Sequence, residues 1–432
     1  MSALARYFRE GGSRVSGYDR ARTPLSEALE AEGMHIHYHE DVGLLDPLAE
    51  CVVYTPAIPA DHMELSWYRE HGYPVMKRSE VLAQVVEGSF AVCVAGTHGK
   101  TTISTLTAHL LRHSGYGCNA FLGGISVNYG TNFWGDERRL SVVEADEYDR
   151  SFLRLDPDVA VITAMDPDHL DIYGTARAME DAFVEFAGRV RAGGLLLCHF
   201  GLARLADLAS PRRLTYGLNT AADVHATGLR VVEGSYRFDV VHAGRFMPGF
   251  DMHVGGTYNV ENALAAIAVG VELGLDPDSL RAGVATFAGV RRRFEYVLRT
   301  PAHIVVDDYA HHPEELRALI TGARALYPDK RCTVVFQPHL FSRTRDLAAE
   351  FAASLDLADQ AVLLPIYPAR ERPIPGVSAE LILDKMRNPL RAMLSKDGML
   401  EWVAAQRPEF LILAGAGDID ELAEPVRKIL TS

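Results

Sequence analysis

Lysine is scarce in this chain, with 6 among 432 residues against 37 arginines, and none falls between Lys100 and Lys330. Cysteine is scarce as well. The five present (Cys51, Cys93, Cys118, Cys198, Cys332) are odd in number, widely spaced and mostly set in apolar runs, and none forms a C-x-x-C or a Cys/His zinc spacing. That pattern argues against a disulfide framework or a zinc module and predicts reduced core thiols. No apolar stretch approaches the ~18 residues of a membrane helix, and the N-terminus lacks the charged-then-apolar order of a secretory signal. A soluble cytoplasmic protein with no membrane partner is expected. Basic side chains number 43 against 57 acidic ones, for a formal charge of −14. Coating of nucleic acid needs clustered Lys and Arg, so that class is excluded, whereas a small phosphorylated ligand needs only one local nest of donors.

What is present is a globular composition, 48% apolar and 23% charged, long enough for two to four domains. MSALARYFREGG reads as a helix, with Leu4, Tyr7 and Phe8 on one face and Gly11-Gly12 as its stop. The strand RVSGYD, the helix LSEALEAEG, the strand CVVYTPAI and the helix SEVLAQVVEG follow, an alternation that implies a parallel sheet. A parallel sheet that opens on a helix predicts a sheet position without its strand. The pattern restarts at Ser89 with FAVCVAG, a loop and the helix TISTLTAHLLRHSG, then LSVVEAD, DVAVITAMD and GGLLLCHF. Residues 224–254 alternate like antiparallel strands around glycine turns, and NVENALAAIAVGVELG is helical. A third series, AHIVVDDYA to ELAEPVRKIL, begins near Val297. Three α/β units are therefore expected: 1–88, 89–296 and 297–432.

The segment from Val94 to Thr102, VAGTHGKTT, joins an apolar strand to a helix. This is the setting of a phosphate loop. Gly96 and Gly99 let backbone N–H groups converge on an anion, the helix start adds its dipole, Lys100 supplies a point charge, and a hydroxyl reaches Mg2+. Val94 stands where the first glycine of G-x4-G-K-[ST] would be, so the loop is a shorter relative, with Thr97, His98 and Thr102 completing it. The expected ligand is a nucleoside triphosphate with Mg2+, and Thr101 is the expected metal hydroxyl. Mg2+ prefers a few carboxylates beside phosphate oxygens and water, so acidic residues belong at neighbouring strand ends. LSVVEADEYD ends in Glu144, Asp146 and Glu147, and DVAVITAMDPDHLDIYG in Asp166, Asp168, His169 and Asp171.

These strings, with NVENALAAIA, GVRRRFE, DDYAHHP, FQPHLFSRTRDL, PIYPARERPIPG and AGAGDI in the same order, resemble the Mur ligases of peptidoglycan assembly over essentially the whole chain. The resemblance implies an α/β fold in three domains: a Rossmann-like N-terminal domain, a central P-loop ATPase-like domain and a Rossmann-like C-terminal domain. It also implies ATP-dependent amide formation. DDYAHHP with FQPH-x2-SRTRD resembles the branch that joins L-alanine to UDP-N-acetylmuramate, which would make those two molecules the substrates. Branches adding later amino acids use a carbamylated lysine after the metal histidine, and no lysine follows His169 before Lys330. The branch that attaches a recycled murein tripeptide, and a non-catalytic nucleotide-binding regulator on the same fold, are the alternatives.

By the resemblance, Thr101 and Glu144 would hold the metal bridging the ATP phosphates, and Glu144 with His169 a second metal beside the acyl carboxylate. Lys100 would neutralise the transferring phosphoryl group. Asn262, supported by Asn259, would meet adenine, Arg293 the phosphates, and Asp308 the ribose. His339 and Arg343 would line the amino-acid pocket, and His311 and His312 would take polar roles towards substrate. Leu340 stands where relatives often carry Arg, and Tyr258 where they often carry His. Relatives place a strand and a G-x-G-G-x-G turn before the residues matching Met1-Ser2. Without them the expected uridine-side residues are Ser16, Asp19, Thr55, Pro56, Ala57 and Arg78, and weakened nucleotide-sugar binding is expected. Oligomeric state is left open.

Overall fold

The computed structural model describes every residue except Ala60 and Arg370, and leaves out the side chains of Leu170 and Asp171. The expectation for Asp171 therefore lies outside the described residues.

The first unit runs α1 (Ser2–Glu10), β1 (Ser16–Tyr18), α2 (Pro24–Ala31), β2 (His35–His37), β3 (Val52–Tyr54), α3 (Met63–Glu70), β4 (Val75–Lys77) and α4 (Arg78–Val86). Thr23 caps α2, accepting from the Ser26 N–H, and Pro24 presets its first turn. The expected single parallel sheet is divided. β1 pairs only with β2 and β3 only with β4, both parallel, among the described residues. Each strand is three residues long, too short to bury a core by itself. Ala3 and Leu4 of α1 and Val81, Leu82 and Val86 of α4 instead pack into a core shared with the central unit.

The central unit is built on a ten-stranded sheet. It comprises β5 (Phe90–Ala95), α5 (Lys100–His113), β6 (Asn119–Phe121), β7 (Phe133–Trp134), β8 (Leu140–Glu144), β9 (Val159–Ile162), α6 (Leu170–Tyr173), α7 (Ala176–Ala187), β10 (Leu195–His199) and β11 (Arg213–Gly217). It continues with β12 (Val224–Val232), β13 (Ser235–His242), β14 (Arg245–Met252), α8 (Thr257–Glu272) and α9 (Pro277–Thr286). The strand order is β14-β13-β12-β11-β10-β9-β5-β8-β6-β7. β5 lies in the parallel middle, between β8 and β9. Its unbroken apolar run follows from being covered on both faces: Val92 and Val94 join the core holding α5 and α8, while Ala91, Cys93 and Ala95 join the one holding α4 and α7. The meander read at 224–254 is β12 to β14.

The third unit comprises β15 (Glu295–Arg299), β16 (Ile304–Asp308), α10 (Pro313–Leu326), β17 (Cys332–Phe336), α11 (Phe341–Leu355), β18 (Gln360–Leu363), α12 (Glu380–Leu383), β19 (Arg391–Met393), α13 (Lys396–Gln406), β20 (Phe410–Ala414) and α14 (Ala423–Thr431). The order is β15-β16-β20-β17-β18-β19, parallel except for β15. β20 returns between β16 and β17, so the carboxyl ends of the three strands, Asp308, Ala414 and Phe336, lie side by side. Glu295 already pairs with Asp307, placing the start of the third sheet two residues before the expected Val297. The link into it carries positive φ at Arg292 (59°) and Phe294 (47°).

Four cysteines, Cys93, Cys118, Cys198 and Cys332, are buried, and burial pushes each thiol up to about 12. Cys51 corrects the core-thiol expectation, because it precedes the short β3 and is exposed. No helix among the described residues is long and apolar enough to cross a membrane.

Candidate active site between the central and third units

The loop leaving β5 requires its glycines. A Cβ on Gly96 would lie 2.0 Å from Thr163 Oγ1, and Gly99, the residue before α5, has φ 78°. Adjacent strands pin the loop: Thr97 N–H donates to Ala164 O at 3.2 Å, and Asp166 N–H to Thr97 Oγ1 at 3.2 Å. Thr102 is buried at the start of α5. His98 Nε2 sits 3.3 Å from Asp166 Oδ2.

Thr101 and Glu144 meet as expected, Thr101 Oγ1 donating to Glu144 Oε1 at 3.1 Å. The other oxygen accepts from Gly123 N–H at 3.0 Å. A Cβ at Gly123 would come within 2.2 Å of that carboxylate, so the β6 loop must present bare backbone there. Lys100 shows what the sequence reading missed. Its ammonium donates to Gly96 O at 2.7 Å and to both Glu147 oxygens at 2.8 and 2.7 Å. The Glu147 side chain is 1% exposed, and burial raises its carboxyl pKa despite the adjacent Lys100. His169, at φ 50°, aims Nε2 at Glu147 Oε1 from 3.8 Å. Glu147 appeared in the acidic string, but nothing in the spacing separated it from Asp146.

Among the described residues no group of three or more His, Cys, Asp or Glu side chains could hold a metal by itself. The Thr101 hydroxyl and Glu144 carboxylate nevertheless offer two hard oxygen donors together, which suits Mg2+ drawing its remaining ligands from phosphate and water.

At the N-terminus of α8, Asn262 donates to Asn259 Oδ1 at 2.9 Å, and Asn259 donates to Gly255 O at 2.6 Å. Asn262 Oδ1 lies against Gly99, 2.8 Å from where a Cβ would stand, which puts it at the phosphate loop. Arg293 lies over the Tyr309 ring at 5.3 Å. Asp308 is almost fully buried, and its two oxygens accept from Phe294 N–H at 2.7 Å and Ala310 N–H at 2.8 Å. Burial, partly offset by Arg293, pushes its carboxyl up to about 6.

The third unit brings His311, His339 and Arg343 together. The rings of His311 and His339 are 6.1 Å apart, and His339 stacks on Tyr367. His339 Nδ1 and Arg343 Nη1 are buried without a hydrogen-bond partner among the described residues. Burial, reinforced by His311 and Arg343, lowers His339 to about 4, so it is neutral near pH 7. His312 separates from this group: it is exposed at the N-cap of α10, where its N–H donates to Glu315. Glu315 links the two units electrostatically. Burial opposes ionisation there, yet His311, the His311 N–H, Arg293 and His98 of the phosphate loop together lower its pKa. Leu340, beside His339, carries φ 72° and donates its N–H to Tyr367 O. Of the uridine-side expectations, Asp19, Thr55 and Arg78 directly follow β1, β3 and β4 at their carboxyl ends.

A Gly- and Lys-Thr-containing loop facing a carboxylate and a histidine, with unpartnered His339 and Arg343 on a second α/β unit, suits an enzyme that cleaves a nucleotide to join two substrates. The chain belongs to the Mur ligase family: residues 1–89 match the Mur ligase family catalytic domain, 94–270 the Mur ligase middle domain and 292–417 the Mur ligase glutamate ligase domain. It is 47% identical over 437 residues to the UDP-N-acetylmuramate–L-alanine ligase of Parabacteroides distasonis, covering 100% of this chain and 95% of that protein. The same enzyme of Porphyromonas gingivalis is 46% identical over 439 residues, covering 100% and 96%. Among solved structures, the UDP-N-acetylmuramate-alanine ligase of Thermotoga maritima superposes with a TM-score of 0.84 at 26% identity, covering 100% of this chain and 96% of that one. The murein peptide ligase of Psychrobacter arcticus shares the fold, with a TM-score of 0.68 at 21% identity and coverage of 100% and 96%.

Proposed function

We propose that this chain joins L-alanine to the lactyl carboxylate of UDP-N-acetylmuramate with cleavage of ATP to ADP and phosphate, a cytoplasmic step of cell-wall synthesis. The observation that carries the reading is one site with two halves: Lys100, Thr101 and Glu144 on the central unit, and the unpartnered His339 and Arg343 donors on the third. The carboxylate of the sugar attacks the γ-phosphorus and ADP departs. The alanine amine then attacks the acyl carbon, and phosphate leaves as the amide forms. Lys100 and Arg293 face charge that grows on the transferred group, and such preorganised donors act most strongly where water is excluded. Arg343 pairs with the alanine carboxylate, and neutral His339 lines the same pocket. Thr101 and Glu144 would hold one Mg2+ and Glu144 with His169 a second, and these ions would supply neutralisation of the phosphate charge.

Asn262, supported by Asn259, meets the adenine from α8, beside the phosphate-binding loop formed by Gly96 to Thr102. Asp308 serves the ribose only by sharing oxygens already bonded to main-chain N–H groups. The units act as 1–88 for the nucleotide sugar, 89–296 for ATP and 297–432 for the amino acid. The separation of β1–β2 from β3–β4 supports reading a further strand position between them in the family fold. The recycling alternative is weakened by the full-length identity to alanine-adding relatives. The test is phosphate release from MgATP with UDP-N-acetylmuramate and, separately, L-alanine, glycine, L-serine or murein tripeptide. L-alanine is expected to support turnover, and turnover with the tripeptide alone would refute the assignment.

A further inference from the structure

Lys100 is paired with an internal carboxylate. Its ammonium donates to Gly96 O at 2.7 Å and faces both Glu147 oxygens at 2.8 and 2.7 Å. The lysine that a phosphate needs is therefore closed off by an internal carboxylate. Glu147 is held from several directions. Its side chain is 1% exposed, its main-chain oxygen accepts from Tyr173 OH at 2.6 Å, and the segment behind it is tied by Phe152 N–H to Asp146 O at 3.0 Å and by Lys77 to Asp149 at 2.8 Å. Its neighbour on the open side is His169 Nε2, at 3.8 Å. Glu144, three residues earlier, is turned to Thr101 and Gly123 and makes no contact with the lysine among the described hydrogen bonds. The two carboxylates of this strand end thus have different partners.

We propose that Glu147 is a positioning residue that occupies the place of a phosphate anion in the nucleotide-free site and surrenders Lys100 only when the incoming nucleotide arrives with its cation. This rests on the phosphate-loop reading above. The carboxylate pre-sets the lysine side chain, which otherwise has four freely rotating bonds, and keeps it from being a buried unpaired charge. The same carboxylate opposes a nucleotide that brings only negative charge, because taking Lys100 leaves Glu147 beside the γ-phosphate with no counter-ion. A divalent cation on the Thr101 and Glu144 side compensates that charge. Metal dependence of nucleotide binding is thus built into the Lys100–Glu147 pair.

The experiment measures ATP binding by calorimetry in EDTA and in saturating Mg2+, for the unsubstituted protein, Glu147→Gln and Glu147→Asp. Glu147→Gln is expected to bind metal-free ATP about tenfold more tightly, the factor that about 1.4 kcal/mol represents. Its affinity for MgATP should change less than threefold. Glu147→Asp, which keeps the charge, should stay within threefold of the unsubstituted protein in both conditions. A purely structural role would weaken or leave unchanged the metal-free binding of Glu147→Gln, and either result overturns the proposal. An equal gain in Glu147→Asp also overturns it, by assigning the effect to packing. Should Glu147→Gln not fold, the unsubstituted chain still decides. With 6 lysines in the sequence, 15N-lysine NMR should show a slowly exchanging Lys100 ammonium in the nucleotide-free protein, assigned by its loss in Lys100→Ala, that shifts on adding MgATP. Absence of that protected signal refutes the pairing. The phosphate-loop reading fails separately, through MgATP binding undiminished by Lys100→Ala.

Discussion

Replacing Arg6 by Ala tests how the first unit is fastened to the centre. The Arg6 side chain is 7% exposed, with its guanidinium on Glu32 at 2.7–3.0 Å and Nη1 on Asn132 Oδ1 at 2.6 Å. Asn132 is itself buried and donates to Ser2 Oγ at 2.9 Å. The two contacts differ in weight. Glu32 is 38% exposed, so its share is about 0–1 kcal/mol. The charged hydrogen bond into buried Asn132 contributes about 1.5–3 kcal/mol, since truncation strands an amide oxygen out of reach of water. Glu32 belongs to the same unit as Arg6, so Arg6→Ala should loosen the first unit from the central one by about 1.5–3 kcal/mol, the share of the Asn132 contact. The chain has three tryptophans, and Trp67, Trp134 and Trp402 fall one to each unit, so phenylalanine at two of them leaves a fluorescent reporter for the third. In urea, the Trp67 transition should move to lower denaturant in Arg6→Ala while the Trp402 transition holds. A double-mutant cycle with Asn132→Ala should return about 1.5–3 kcal/mol of coupling. Coupling below about 0.5 kcal/mol, or an equal shift at Trp402, would refute the fastening role.

Burial pushes the Asp307 carboxyl up to about 7, against the opposing charge of Arg292. The folded state then holds a proton that the unfolded chain releases near pH 4, so this group lowers stability as pH rises from about 4 to 7. Asp307→Asn should flatten that slope in urea titrations and exceed the parent at pH 8 by on the order of 3 kcal/mol; an unchanged slope would contradict the burial argument. Gly123→Ala drives a methyl into Glu144 and should cut phosphate release at least a hundredfold, with far-ultraviolet circular dichroism unchanged. Retained turnover would exclude Glu144 from the metal site. Arg343→Lys replaces a planar fork with a point charge. It should raise KM for L-alanine about tenfold or more and leave KM for ATP alone, whereas an unchanged alanine KM would move the carboxylate pocket elsewhere.

Much of the site could be read from the chain because its parts are short and contiguous. Gly96 to Thr102 act through local geometry, a strand end, a turn and a helix start, and the structure keeps them together. Long apolar runs such as FAVCVA announced central strands for the same local reason. Less was legible where burial is partial. β15 and β19 are short edge strands with no apolar run to mark them, and the first unit's sheet divides because its three-residue strands draw their stability from α1 and α4 packing on the central core. His312 looked equivalent to His311. Only the helix start distinguishes them, turning one to the N-cap and leaving the other between Tyr309 and Glu315.

The sequence by itself determined the chemistry available: a lysine and three threonines on a glycine loop, acidic strand ends, no lysine after His169 before Lys330, and therefore a family. The tertiary structure decided which of those groups meet. Glu144 and Glu147 are three residues apart at one strand end, yet one faces Thr101 and the other closes on Lys100. Arg6 finds Asn132 across 126 positions. Neighbours along the chain share a turn or a helix start, and local propensity records that. Partners across strands depend on sheet order, register and the depth at which a charge is buried, which exist only once the layers have packed.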